Sequence, residues 1–216
     1  MVLDGYTSIP IHDAGEPLVD LVSYPFILEP VYFQNGLSPE KRMFLRKSVA
    51  EKLRVVSERI QPYRLKIWDA HRTRAVQRAV YERYRSDLQQ AHPDWTDEKV
   101  RDTVETYVVN GDDPALTLNH VCGSTVDLTL VDEKGNELHM GTGFDHLGPE
   151  SAPYFFEQDG HDLEAAKNRT FLRDAMFAEG FTIYPTEWWH FDYGNQIWAF
   201  QKGEPSALFG EVAPLR

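Results

Sequence analysis

The stretch "STVDLTLVDEKGNELHMG", Ser124 to Gly141, decides what kind of fold this chain adopts. Val126, Leu128 and Leu130 alternate with Thr125, Asp127 and Thr129, the period-two pattern of a half-buried strand. "DEKGNE" then reads as a turn into an antiparallel return partner. Downstream, a loop rich in Gly and Pro runs to about Gly160. Helical patterning resumes through "LEAAKNRTFLRDAMFAEGF" and stops at Gly180. The last segment, "TIYPTEWWHFDYGNQIWAFQ", has the aromatic content of strands, and Gly194-Asn195 predicts a hairpin turn.

Upstream of the decisive strand the chain is mostly helical. Ser38-Pro39 reads as a helix start, followed by an apolar stripe of Leu45, Val49, Leu53, Val56 and Ile60. "RLKIWDA", from Arg64, alternates as a strand. Arg74 to Gln90 predicts a second helix with Val76, Val80, Tyr84 and Leu88 on one face. Thr96 caps a third, with Val100, Val104, Tyr107 and Val108 inside and Gly111 at its end. Residues 1–37 mix Pro, Gly and short apolar runs, consistent with irregular structure and an edge strand. The expected class is α+β, one domain over residues 1–216, with helices first and an antiparallel sheet later.

At 42% apolar residues, with five Trp, ten Tyr and twelve Phe, the chain has ample material for a packed core. Its 22 basic against 34 acidic residues give a formal charge of -12. Such a chain repels phosphate backbones and anionic lipid, so neither nucleic acid nor a membrane surface is an expected partner. The N-terminus lacks a basic region followed by an apolar one, and no run approaches the roughly 18–20 apolar residues that span a bilayer. Cys122 is the lone cysteine, which suits a reducing compartment. The expectation is a cytoplasmic protein.

Four short stretches carry residues suited to chemistry: "NHVCGSTVD" (119–127), "EWWH" (187–190), "WDAHR" (68–72) and "MGTGFDH" (140–146). His120 and Asp127 are seven apart, an odd spacing that places them on opposite faces of a regular strand. They meet only if His120 sits in a loop that Gly123 allows to bend. Glu187 and His190 are three apart, with a bend expected after Pro185 and Thr186. A catalytic zinc takes three protein ligands and keeps one position open, and a nearby carboxylate can move the proton of its water. His120, Asp127 and His190 as ligands with Glu187 as base match that requirement. Each also has an ordinary reading: a histidine on an aromatic strand is often a hydrogen-bonded core residue, Asp127 could bond a neighbouring loop, and Glu187 could be a solvated turn residue. Cys122 reads as packing. His12, His92, His139 and His161 fall in loop contexts and read as solvated, whereas His71 and His146 adjoin motifs.

In order and spacing these stretches resemble the D-alanyl-D-alanine dipeptidases of the VanX type, zinc peptidases related to D,D-carboxypeptidases and to the hedgehog signalling domain. That family's S-x-H-x-x-G-x-A-x-D motif is matched at His120, Gly123 and Asp127, and its E-W-W-H-F motif throughout "EWWHF". "WDAHR" resembles W-D-G-Y-R. The resemblance covers roughly residues 60–200 and implies a fold of that type with one Zn2+ per chain, held by His120, Asp127 and His190. Glu187 would then be general base and acid, and Arg72 would stabilise the oxyanion. Asp69, Tyr24 and His71 would contact the substrate, a small dipeptide such as D-Ala-D-Ala. Departures cluster at the implied substrate pocket: Leu118 replaces the serine, Thr125 the alanine, His71 the tyrosine, and Gly143 the acid expected after M-G-T. Two alternatives stand beside this reading. One is a peptidoglycan D,D- or L,D-carboxypeptidase or endopeptidase of the same fold, which the absent leader disfavours. The other is a non-catalytic zinc domain, which retention of Glu187 and Arg72 disfavours.

Overall fold

The computed structural model describes residues 3–158 and 162–212. The expectation for His161 and the end of the loop at Gly160 lie outside the described residues. In chain order the elements are β1 (Leu18–Asp20), β2 (Ile27–Leu28), α1 (Val31–Gln34), β3 (Phe44–Arg46), α2 (Lys47–Arg59), β4 (Arg64–Asp69), α3 (Arg74–Ala91), α4 (Asp97–Glu105), β5 (Thr125–Val131), α5 (Leu163–Ala178), β6 (Thr182–Ile183), β7 (His190–Asp192) and α6 (Gln196–Lys202). The class is α+β, as the alternating strand and helical stripes predict.

The main sheet has the order β2-β4-β5-β7-β6. Its pairs are antiparallel except at one edge, where β2 runs parallel to β4. β5 is therefore a central strand, and all seven of its residues are buried. This corrects the half-buried expectation: Val126, Leu128 and Leu130 enter the core, while Thr125, Asp127 and Thr129 are equally enclosed on the other face. The polar face is covered because it forms the floor of a site. The expected return partner after "DEKGNE" is reduced to a single bridge, Val131 with Glu137, and the neighbours of β5 in the sheet are β4 and β7.

Two further expectations are corrected by long-range pairing. The helix read from Ser38-Pro39 begins only at Lys47, because Phe44–Arg46 pairs antiparallel with Leu18–Asp20 in a separate two-stranded sheet. Leu45 is fully buried there as a strand residue, and tertiary pairing has overridden a local helical stripe. Gly194-Asn195 is not a hairpin turn. The Asn195 side chain accepts from the Trp198 N–H and caps α6, an alternative use of the same turn-favouring residues. The hairpin lies earlier, between β6 and β7. The third helix ends at Glu105, so Tyr107, Val108 and Gly111 lie beyond it.

The core sits between the sheet and α2 and α5. Val49, Ala50, Leu53 and Val56 of α2 and Leu172 and Met176 of α5 are completely buried against Leu65, Ile67, Leu128 and Phe191. α3 carries Val76 and Val80 to a smaller cluster with Tyr32. The polar face of the sheet opens between α3, the 107–119 segment and the Tyr184–His190 turn.

Candidate metal centre and cleft

Sheet register assembles the centre. Asp127 on β5 is the cross-strand partner of His190 on β7, and on its other side it pairs with Asp69 on β4. Residues opposite one another in adjacent strands hold their side chains about 5 Å apart, so one row across three strands delivers two acids and a histidine. His120 arrives from a different direction. It lies in a 3-10 turn, His120–Cys122, that ends at Gly123 with φ +68. The positive φ favours glycine, and a Cβ there would also push the Leu18 side chain aside, since it would meet Leu18 Cδ2 at 2.5 Å. The bend that the odd spacing of His120 and Asp127 demanded is thereby formed. Cys122 is buried, and its thiol donates to the Leu118 carbonyl; burial pushes the thiol pKa up, which makes it a packing group.

His120, Asp127 and His190 are all buried, and each offers one ligand atom within 4.8 Å of the others. His120 Nδ1 lies 2.7 Å from the Ala70 carbonyl oxygen. With Nδ1–H donating there, Nε2 is left as a lone pair, 3.3 Å from Asp127 Oδ2. Nε2 and Asp127 Oδ1 are buried without a hydrogen-bond partner among the described residues. On His190 the roles reverse: Nδ1 faces Asp127 Oδ1 at 3.2 Å, and Nε2 faces Asp192 Oδ2 at 3.4 Å. Asp192 is completely buried, and its Oδ1 accepts from Thr125 Oγ1 at 2.7 Å and from the Asn195 amide. A carboxylate behind a ligating imidazole is the usual support for a metal-bound histidine. Burial would raise Asp127, yet the two imidazoles hold it below the usual carboxylate range. Burial would lower His190, yet Asp192, Asp127 and Glu187 carry it well above its ordinary value. Two imidazoles and a carboxylate with converging, unpartnered atoms fit a zinc-sized divalent cation.

Glu187 lies beside this group, with Oε2 3.3 Å from His190 Nδ1. The Tyr184–His190 turn holds it there, since the Tyr184 N–H donates to the His190 carbonyl at 3.0 Å. Trp188 and Trp189, each 2% exposed, form the wall behind it. Arg72 lines the same cleft. Its Nε donates to Gln77 Oε1 at 2.8 Å and its Nη1 to Asp69 Oδ2 at 3.0 Å, and its guanidinium lies 5.2 Å from the centroid of the Tyr32 ring.

The three residues expected to contact substrate do not line this cleft. Asp69 lies between Arg72 and His120 Nδ1 and orients both. His71 faces an adjacent cavity with Met43 and Phe44, where burial lowers its pKa to about 4. Tyr24 stacks on Phe26 and donates to Glu51 on α2. The carboxylate that does enter the cleft is Asp145, from the "MGTGFDH" stretch. It is the one non-glycine residue with positive φ, at 60°, among the described residues. Tyr32 donates to its carboxylate at 3.1 Å, and the Tyr84 hydroxyl to its backbone carbonyl at 3.4 Å. Burial and the charges of Asp127 and Glu187 raise its pKa to about 7. Its signal in the sequence was an acid directly after a core aromatic. Gly143, where an acid was expected, has open space around it, two residues short of the cleft position. Leu118 also lines the cleft, with 4% exposure. His146 is half exposed beside Glu150, and His139 pairs with Asp162.

The family model described as D-ala-D-ala dipeptidase, of the M15 peptidases, matches residues 30–204. The chain belongs to this family. Membership makes it a metallopeptidase, with the hydrolysis of cell-wall peptides as the family's chemistry. The D-alanyl-D-alanine dipeptidase of Synechocystis is 28% identical over 223 aligned positions, spanning 92% of this chain and 90% of the relative. The Escherichia coli enzyme of the same name is 36% identical over 122 positions, spanning 54% of this chain and 55% of its own length. Among solved structures, the vancomycin-resistance D,D-pentapeptidase VanY in complex with Zn(II) is similar at a TM-score of 0.49 and 15% identity, over 94% of this chain and 96% of that one. The family match spans all four stretches that carry the site.

Proposed function

We propose that this metallopeptidase is a dipeptidase that hydrolyses D-Ala-D-Ala or a similarly small dipeptide, with one zinc ion held by His120 Nε2, Asp127 and His190 Nδ1. The observation that carries the reading is the convergence of those three ligand atoms beside Glu187, in a chain matched to the dipeptidase family along most of its length. When bound, zinc supplies a Lewis acid that polarises a carbonyl and lowers the pKa of water. Glu187 accepts the proton of the attacking water and returns it to the amine as the C–N bond breaks. Arg72, held in one orientation by Asp69 and Gln77, donates to the carbonyl oxygen as negative charge develops there. Asp145 pairs with the free ammonium of the substrate, a contact that only a peptide with an unblocked N-terminus can make. On this reading the reaction takes place in the cytoplasm, where reducing conditions suit a lone, buried Cys122.

A substrate panel tests this. Zinc-loaded protein should release alanine from D-Ala-D-Ala. It should act at least about 100-fold more slowly on N-acetyl-D-Ala-D-Ala, because the blocked amine leaves Asp145 unpaired. A preference for N-acylated peptides ending in D-Ala-D-Ala would replace the dipeptidase reading with a carboxypeptidase one.

A further inference from the structure

Arg169 lies on α5, outside the cleft, and is 3% exposed. Among the described residues no carboxylate lies within ion-pair reach of it. A buried cation with no ion-paired carboxylate carries a desolvation cost that the more distant Asp162 offsets only in part, and burial lowers its pKa to about 10. Its hydrogen bonds show what offsets that cost. Nε donates to the Met140 carbonyl at 2.7 Å, and Nη1 donates to the Glu150 and Ala152 carbonyls at 2.9 Å each. Nη2 reaches Thr142 Oγ1 at 3.3 Å, and the guanidinium lies 4.6 Å from the centroid of the Phe156 ring. One planar fork thus ties both limbs of the 140–152 segment, and the tip of that segment is Asp145. Thr142 Oγ1 also accepts from Trp188 Nε1 at 2.8 Å, which fixes the same segment to the wall beside Glu187.

Asp145 needs such support. It holds a left-handed backbone conformation, the one non-glycine residue among those described to do so, and its half-buried carboxylate lies near the charges of Asp127 and Glu187. Phe144 anchors the apolar side by stacking on Trp68 at 4.9 Å, but it leaves the two backbone limbs unsecured.

We propose that Arg169 is a positioning residue of the cleft: by bonding both limbs of the 140–152 segment, it holds the Asp145 carboxylate where the substrate's ammonium is received. This rests on the dipeptidase reading for its substrate, though not for its geometry. Lys keeps the charge but cannot bond three carbonyls in one plane, so Arg169→Lys separates the fork from the charge.

The experiment measures kcat, KM and amide hydrogen exchange for wild type, Arg169→Lys, Asp145→Asn and the double variant. Arg169→Lys should raise KM for D-Ala-D-Ala about 10-fold with kcat within about threefold, the pattern of binding lost equally from ground and transition states. In the Asp145→Asn background the same change should add nothing to KM, because both act on one contact. Exchange in 140–152 should rise while that of β5 and α2 stays as in wild type. Additive effects on KM, or unchanged exchange in the segment, would overturn the proposal. Exchange rising throughout would overturn it too, by making Arg169 a general scaffold residue. If the wild type cleaves no dipeptide, the functional reading falls, and exchange alone decides whether Arg169 holds the segment.

Discussion

His190 and Asp192 are two residues apart on one short strand, so they share a face, and Asp192 stands behind the imidazole of His190. The spacing was visible in "HFD", yet it takes the pairing of β7 with β5 to show that this face carries Asp127 as well. Asp145 was harder to find. Its one local mark is the aromatic Phe144 before it; the Tyr32 and Tyr84 hydroxyls and the Trp68 ring under Phe144, which enclose it, meet only in the fold, from up to 113 positions away. Its raised pKa of about 7 gives a prediction. Only the ionised carboxylate attracts an ammonium, so KM for D-Ala-D-Ala should fall as pH rises through about 7. Steady-state kinetics between pH 5.5 and 8.5, roughly the range over which such a group changes charge, should show this step in wild type and none in Asp145→Asn. A step of equal size in the variant would assign it to another group.

At the scale of elements, strands and helices with strong periodic patterns were legible: β4, α3, α5 and the Thr96 cap of α4 fall where their sequences place them. The misreadings share one cause. Leu45 fits a helical stripe and a strand equally well, and only Leu18–Asp20, far back in the chain, selects the strand. Gly194-Asn195 suits a turn or a helix cap, and the close approach of Phe209 to Gly194 belongs to the fold rather than to the dipeptide. Gly123, by contrast, was read correctly because the chemistry of His120 and Asp127 demanded a bend there. Its positive φ and the 2.5 Å approach to Leu18 predict that Gly123→Ala destabilises the fold by roughly 1–3 kcal/mol and displaces His120. Denaturant unfolding and zinc affinity should fall together. Loss of stability with undiminished zinc affinity would show that the turn does not position the ligand.

Across the whole molecule, the centre is braced by residues from both ends of the chain. Arg46, 5% exposed, donates to the Glu16, Cys122 and Gly210 carbonyls and pairs with Asp13, so one guanidinium joins the N-terminal segment, the His120 turn and the C-terminal segment. Glu211 bonds Arg74 and accepts from the Leu118 N–H, fastening the cleft wall to α3. These ties were not legible in the sequence, since an arginine and distant carbonyls leave no pattern. They make the site a property of the complete fold, and metal binding should therefore report on global stability. Zinc at about 100 times its dissociation constant should stabilise the protein by about 2.7 kcal/mol. This is measurable as a higher midpoint of urea unfolding, and the shift should be absent in Asp127→Asn. A shift of equal size in Asp127→Asn would place the metal elsewhere.

The most direct test of the central claim is a titration of metal-free protein with zinc, followed by alanine release from D-Ala-D-Ala. Hydrolysis should rise linearly and level off at one zinc per chain, and Glu187→Gln should bind the same amount of zinc while losing about 100-fold or more in kcat. Saturation at another stoichiometry, or undiminished hydrolysis by Glu187→Gln, would contradict the assignment of His120, Asp127, His190 and Glu187 to one catalytic centre.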